Sequence, residues 1–159
     1  MIQELALKRK WFYNSNAMTE RMNEAEVQQY IYLATEDLTA AQDNLRLGHL
    51  RAAVSRAYYA MFYAVTAVLG SRGLWRSKHQ GVIAAFGEHL VKPGLVEPQY
   101  GRMLHDAFET RVDSDYAPQP DLNEASVRNQ IANAQEFVRR MIQILAKSGE
   151  TQEDDRAVE

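Results

Sequence analysis

The sequence predicts an all-α fold, an antiparallel bundle of four to five helices. Apolar residues recur at intervals of three and four along successive segments. Glycine or proline stands at the boundaries between those segments, and no β-rich alternating run interrupts the series. A length of 159 residues fits one domain with its own hydrophobic core.

Residues 1–23 have mixed polarity and no sustained period. "SNAM" at Ser15 to Met18 resembles a scar left by a cleaved expression vector. This stretch is set aside as an N-terminal extension, vector-derived in part or disordered. The helical domain is expected over residues 24–147. Its first helix, about Glu24 to Leu47, carries the stripe Val27, Ile31, Ala34, Leu38, Ala41 and Leu45, and Gly48 stops it. The second, about Leu50 to Leu69, is apolar nearly all round except for Arg51, Ser55 and Arg56, which marks it as the central helix. Its alanines allow close approach, and Tyr58, Tyr59, Phe62 and Tyr63 supply buried area.

The third helix is expected to open at Ser77, with Gln80 completing a capping box, and to end before Pro93-Gly94. A fourth starts near Glu97 with Pro98 in its first turn, and fails after "RVDSDY". Asn123 caps a fifth, with Val127, Ile131, Ala134, Val138, Met141 and Leu145 as its buried stripe. Residues 148–159, "SGETQEDDRAVE", are acidic and poor in large apolar side chains, so a solvated, disordered tail is expected.

Composition excludes several function classes. There is no cysteine, hence no disulfide, thiolate metal site or cysteine nucleophile. No two of His49, His79, His89 and His105 stand three or four apart on one helical face, so no metal site is expected. No glycine pattern of the phosphate-binding type occurs, and no cofactor is expected. A net charge of −3 provides no global basic field for nucleic acid, so any RNA contact has to be local. No apolar run approaching about 18 residues is apparent, so membrane insertion is not expected, and without a secretory signal a cytoplasmic location is.

Two clusters stand out. "SRGLWRSKH", Ser71 to His79, gathers Arg72, Arg76, Lys78 and His79 around a loop and a helix start, where cations and backbone N–H groups can hold a phosphate and Trp75 can stack on a base. The plainer reading is a solvated basic loop whose tryptophan covers the core. "ETRVDSDY", Glu109 to Tyr116, places Arg111 and Asp115 four apart as a surface ion pair. Such a pair contributes only about 0.3–0.5 kcal/mol, and an aspartate near a helix C-terminus opposes the helix dipole, so stability explains the cluster poorly. Tyr116 either covers the core or serves a site.

The second helix "RAYYAMFYAVTAVL", followed by "SKHQGVIAAFGEHLVKPGLVEPQYGRMLHDAFETRVDSDY", resembles small prokaryotic proteins of the HEPN superfamily (higher eukaryote and prokaryote nucleotide-binding domains), from about Glu24 to Lys147. The resemblance implies a helical bundle that forms a homodimer. It further implies a toxin-like ribonuclease working without metal, beside a nucleotidyltransferase-type antitoxin. The alternative it leaves is a non-catalytic module that binds nucleotide or RNA, or docks a nucleotidyltransferase.

Active members carry an arginine followed after four to six residues by a histidine, and Arg111 stands at the arginine's place. The histidine is missing, with Asp115-Tyr116 in its position, and no histidine follows His105. His79 is the substitute the sequence offers, provided the start of the third helix lies beside the end of the fourth. By this resemblance Arg111, His79 and Asp115 are the expected catalytic residues. Lys78, Arg76, Arg72 and Tyr116 are the expected phosphate or RNA contacts, and Tyr116 also resembles a tyrosine that receives nucleotides from the partner enzyme.

Overall fold

The computed structural model describes residues 20–156. Among them the chain forms five α-helices and no strand, as expected: α1 Glu24–Arg46, α2 Leu50–Ser71, α3 His79–Phe86, α4 Pro98–Tyr116 and α5 Glu124–Arg156. The "SNAM" reading lies outside the described residues.

α1 starts in a complete capping box. The Glu26 backbone N–H donates to Asn23 Oδ1 at 2.9 Å, and the Asn23 N–H donates to Glu26 Oε2 at 3.0 Å. Two orphan backbone donors are thereby satisfied. At its far end Gly48 turns the chain with φ 76°, the left-handed conformation that glycine adopts without a Cβ penalty. α2 then returns antiparallel and packs against each of the other four helices. Ala53, Ala57, Ala60 and Ala64 lie fully buried on it beside Val54, Tyr58, Met61, Val65, Val68 and Leu69. By length and mean hydropathy α2 is long and apolar enough to cross a membrane, although Arg51 and Arg56 interrupt its apolar run. Of that apolar window, 67% is buried inside the bundle.

The third helix departs from expectation at its start. It opens at His79 with Lys78 as N-cap and no side-chain capping bond, so the Ser77–Gln80 box does not form. At this point the half-buried His79 ring packs against the aromatic side chains of α2. A π-helical turn, Gly87–Val91, continues α3, with the Lys92 N–H reaching back to the Gly87 carbonyl at 2.9 Å. α4 begins as expected, with Glu97 as N-cap and Pro98 in the first turn.

α5 is capped as expected, the Ser126 N–H donating to Asn123 Oδ1 at 2.9 Å. Its buried stripe is wider than the sequence pattern indicates and includes Phe137 and Ile144. The helix also runs through to Arg156, so the expected disordered tail from residue 148 is helical backbone up to that point. No proline interrupts this stretch. The one glycine, Gly149, costs only about 1 kcal/mol in a helix already nucleated by a packed segment.

Met22, set aside with the N-terminal extension, belongs to the structured domain. It joins Val27 and Ala67 in a small apolar cluster against which Trp75 packs. Trp75 therefore covers the core, the plainer of its two readings. The Met22 N–H donates to the Gly70 carbonyl at 2.9 Å, and a Cβ on Gly70 would overlap the Met22 thioether.

Candidate functional site

Three helices bring polar groups to one aromatic cluster. Tyr58 and Tyr59 are neighbours on one turn of α2 and Phe62 lies on the next, but only Tyr58 is fully buried; Tyr59 and Phe62 are half-buried. His79, in the first turn of α3, lies against all three. Its ring stacks on Phe62 with centroids 4.4 Å apart and planes 24° apart, and meets Tyr59 edge-on at 5.7 Å. Its Nδ1 is 2.8 Å from the Tyr58 hydroxyl.

Arg111 approaches the same tyrosines from α4. Its guanidinium carbon is 5.4 Å from the Tyr59 ring centre and 5.8 Å from that of Tyr58, within the range of cation–π attraction. Its Nε is 3.1 Å from Asp115 Oδ2. That nitrogen is buried and its N–H is not aligned on the carboxylate, so the pair is a charge contact without a well-formed hydrogen bond. Asp115 is further tied by its backbone, the carbonyl accepting from Arg51 Nη2 at 3.1 Å. Arg56, one turn earlier on α2, lies 5.0 Å from the Tyr59 ring centre and donates from Nη1 to Asp37 Oδ1 at 2.9 Å.

The electrostatics follow from this packing. Burial lowers the pKa of His79 below its ordinary value, and the charge of Arg111 lowers it further. Both effects favour the neutral imidazole. Burial raises the Tyr58 phenol well above its usual range, Arg111 opposing and Tyr59 adding to the shift, so Tyr58 keeps its proton.

The expected residues separate into two groups. His79, Arg111 and Asp115 share one cluster. Arg72 and Arg76 do not join it: Arg72 Nη2 donates to Ser148 Oγ at 3.4 Å, and Arg76 Nη1 folds back onto the carbonyls of Leu74 and Trp75 at 3.3 and 2.9 Å. Lys78 is exposed next to His79 in the chain, and Tyr116, 83% exposed, covers no core.

Sequence reasoning treated Tyr58, Tyr59 and Phe62 as core filling and overlooked the Asp37–Arg56 pair. One signal was available for Tyr58. A tyrosine at a fully buried position needs a polar partner for its hydroxyl, and only tertiary structure shows that the partner is a histidine.

The class defined by this fold and cluster is a small all-α bundle with a titratable imidazole and a guanidinium held on adjacent tyrosines. The chain belongs to the HEPN domain family, whose model matches residues 27–147. It is 39% identical over 119 residues to a UPF0332 protein of Thermotoga maritima, covering 74% of this chain and 90% of that one. It is 36% identical over 116 residues to the protein named "Putative toxin MJ0605" of Methanocaldococcus jannaschii, covering 73% and 86%. A UPF0332 protein of Pyrococcus horikoshii, PH1297, is 41% identical over 88 residues, covering 55% and 62%.

Proposed function

We propose that this protein is a toxin-like ribonuclease of the HEPN type, cleaving RNA without a metal ion. The ribose 2′-oxygen attacks the adjacent phosphorus, the bond to the 5′-oxygen breaks, and a 2′,3′-cyclic phosphate and a 5′-hydroxyl result. One proton leaves the attacking hydroxyl and one joins the departing oxygen. Arg111 stabilises the charge of the phosphorane-like transition state, and His79 and Asp115 handle the protons. Lys78 adds positive charge at the edge of the site.

The observation that carries this reading is the convergence of His79 and Arg111 on Tyr58 and Tyr59. It joins a proton-exchanging group to a phosphate-binding one although the histidine expected after Arg111 is missing. The name of the M. jannaschii relative adds the toxin context. In this reading the protein acts as a homodimer in the cytoplasm, restrained by a nucleotidyltransferase-type antitoxin, and the exposed Tyr116 hydroxyl is accessible to nucleotide transfer.

A non-catalytic module that binds RNA or nucleotide, or docks a nucleotidyltransferase, is the second reading. It is favoured by the Arg111–Asp115 contact, which already offsets the guanidinium charge that a phosphate would use. The two readings separate on incubation of the protein with labelled total RNA in the presence of a chelator. Cleavage by wild type that Arg111→Ala and His79→Ala both abolish supports the nuclease; binding without cleavage by folded protein supports the module.

A further inference from the structure

Among the described residues, Tyr58 is the only side chain that hydrogen-bonds His79, and its hydroxyl has no other partner. The ring is fully buried, so water does not serve as an alternative acceptor for the phenolic hydrogen. Two arrangements of the 2.8 Å contact exist. If Nδ1 carries the proton and donates to the tyrosine oxygen, the buried O–H is left with no acceptor, at a cost of about 1–3 kcal/mol. If the hydroxyl donates to a bare Nδ1, every buried polar group is satisfied and the imidazole proton resides on Nε2. Nε2 lies on the far side of the ring from Tyr58. It has no partner among the described residues and is not a buried, unpaired atom, so it opens to solvent.

We infer that Tyr58 is a positioning residue: its hydroxyl holds neutral His79 in the Nε2–H tautomer, so that His79 meets a phosphate oxygen as a hydrogen-bond donor beside Arg111. This rests on the nuclease reading for its ligand, and it divides the labour that reading leaves shared. A bare Nδ1 is sealed against Tyr58 and an Nε2 already bearing hydrogen accepts nothing, so the neutral ring is no base. Removal of the 2′-hydroxyl proton then falls to Asp115, whose carboxyl, once protonated, gives a proton to the departing 5′-oxygen. A neutral imidazole N–H in such a place polarises an oxygen without bringing a second full charge next to the arginine.

The test is imidazole ¹H–¹⁵N correlation spectroscopy on the uniformly labelled full chain at neutral to mildly alkaline pH, with His79→Gln identifying the His79 signals. The expected pattern has Nδ1 at the position of an unprotonated ring nitrogen and Nε2 at that of a protonated one. In Tyr58→Phe, which keeps the ring, the pattern should move toward the averaged tautomers of a free imidazole. Inorganic phosphate should shift the Nε2 resonance in wild type. A protonated Nδ1 in wild type overturns the inference, as does an unchanged tautomer in folded Tyr58→Phe or an Nε2 insensitive to phosphate. None of these readouts requires turnover. A chain with the Nε2–H tautomer that responds to phosphate yet cleaves no RNA would refute the nuclease reading and leave the tautomer assignment standing.

Discussion

Arg56 and Arg111, on different helices, are both directed at the ring of Tyr59, their guanidinium carbons 5.0 and 5.4 Å from its centre. Arg56 is anchored to Asp37, whose side chain is only 12% exposed, whereas Arg111 reaches only the more exposed Asp115. The anchored cation fixes the ring on which the second one rests. Replacing Asp37 by Ala should therefore cost about 1–2 kcal/mol, less than for a fully buried pair because Arg56 retains access to water. Urea unfolding measures this; a loss below a few tenths of a kcal/mol would show that the anchor is dispensable.

On the proposed nuclease reading, Arg111→Lys should impair RNA cleavage nearly as much as Arg111→Ala, by about 100-fold. A compact ammonium lacks the planar surface with which a guanidinium meets aromatic faces and the planar fork it presents to phosphate. Single-turnover cleavage of a labelled RNA provides the comparison. Near-full activity in the lysine variant would mean that charge alone suffices.

The pKa of His79 is lowered in the folded protein, so below its ordinary value the unfolded chain binds the proton more readily. Folding stability should thus fall as pH drops through the region around 6.5 and be regained above it. Denaturant midpoints taken across this range for wild type and His79→Gln test the sign: the variant should show a shallower decline.

Gly70→Ala forces its new methyl group into the Met22 thioether. The far end of the Met22 side chain can swing aside and alanine gains about 1 kcal/mol of helix propensity over glycine, so the net loss should stay below about 1 kcal/mol. Combining it with Met22→Ala should recover part of that loss, giving a coupling energy in a double-mutant cycle. Strict additivity would show that the Met22 segment does not sit on α2 in solution.

Glu97, the N-cap of α4, accepts from Arg140 of α5 through both carboxylate oxygens at 3.0 Å. The bond to Arg140 is the chief cause of its lowered pKa. Its contribution is present above the ordinary carboxylate range and lost as pH falls through the lowered folded value. The pair is partly exposed, so a cycle through Glu97→Gln and Arg140→Gln should yield no more than about 1 kcal/mol, decreasing with added salt.

The helices were legible because their apolar spacing, proline at position 98 and caps such as Asn123 are local signals. Misjudged boundaries were those where a distant contact prevails over a local one. Ser77 offers a capping box, yet α3 starts at His79, whose ring packs against the aromatic side chains of α2. Residues 148–156 look too polar to order, yet a helix already nucleated continues through them. Of the site, Arg111 with Asp115 and the candidacy of His79 could be read from spacing and resemblance. That they share Tyr58 and Tyr59 could not, because the juxtaposition depends on how α3 and α4 cross α2.

The loop Leu47–His49 joins the two helices whose mutual interface is the most extensive in the bundle. Contacts so near in sequence close with little loss of chain entropy. The α1–α2 hairpin is therefore the expected folding nucleus, and the contacts of α5 with α2 close over a longer stretch of chain. Truncating Val54 or Val65 on α2 should slow refolding, whereas truncating Val138 or Met141 on α5 should chiefly hasten unfolding. The helix that carries Tyr58 and Tyr59 would thus be in place before His79 and Arg111 arrive.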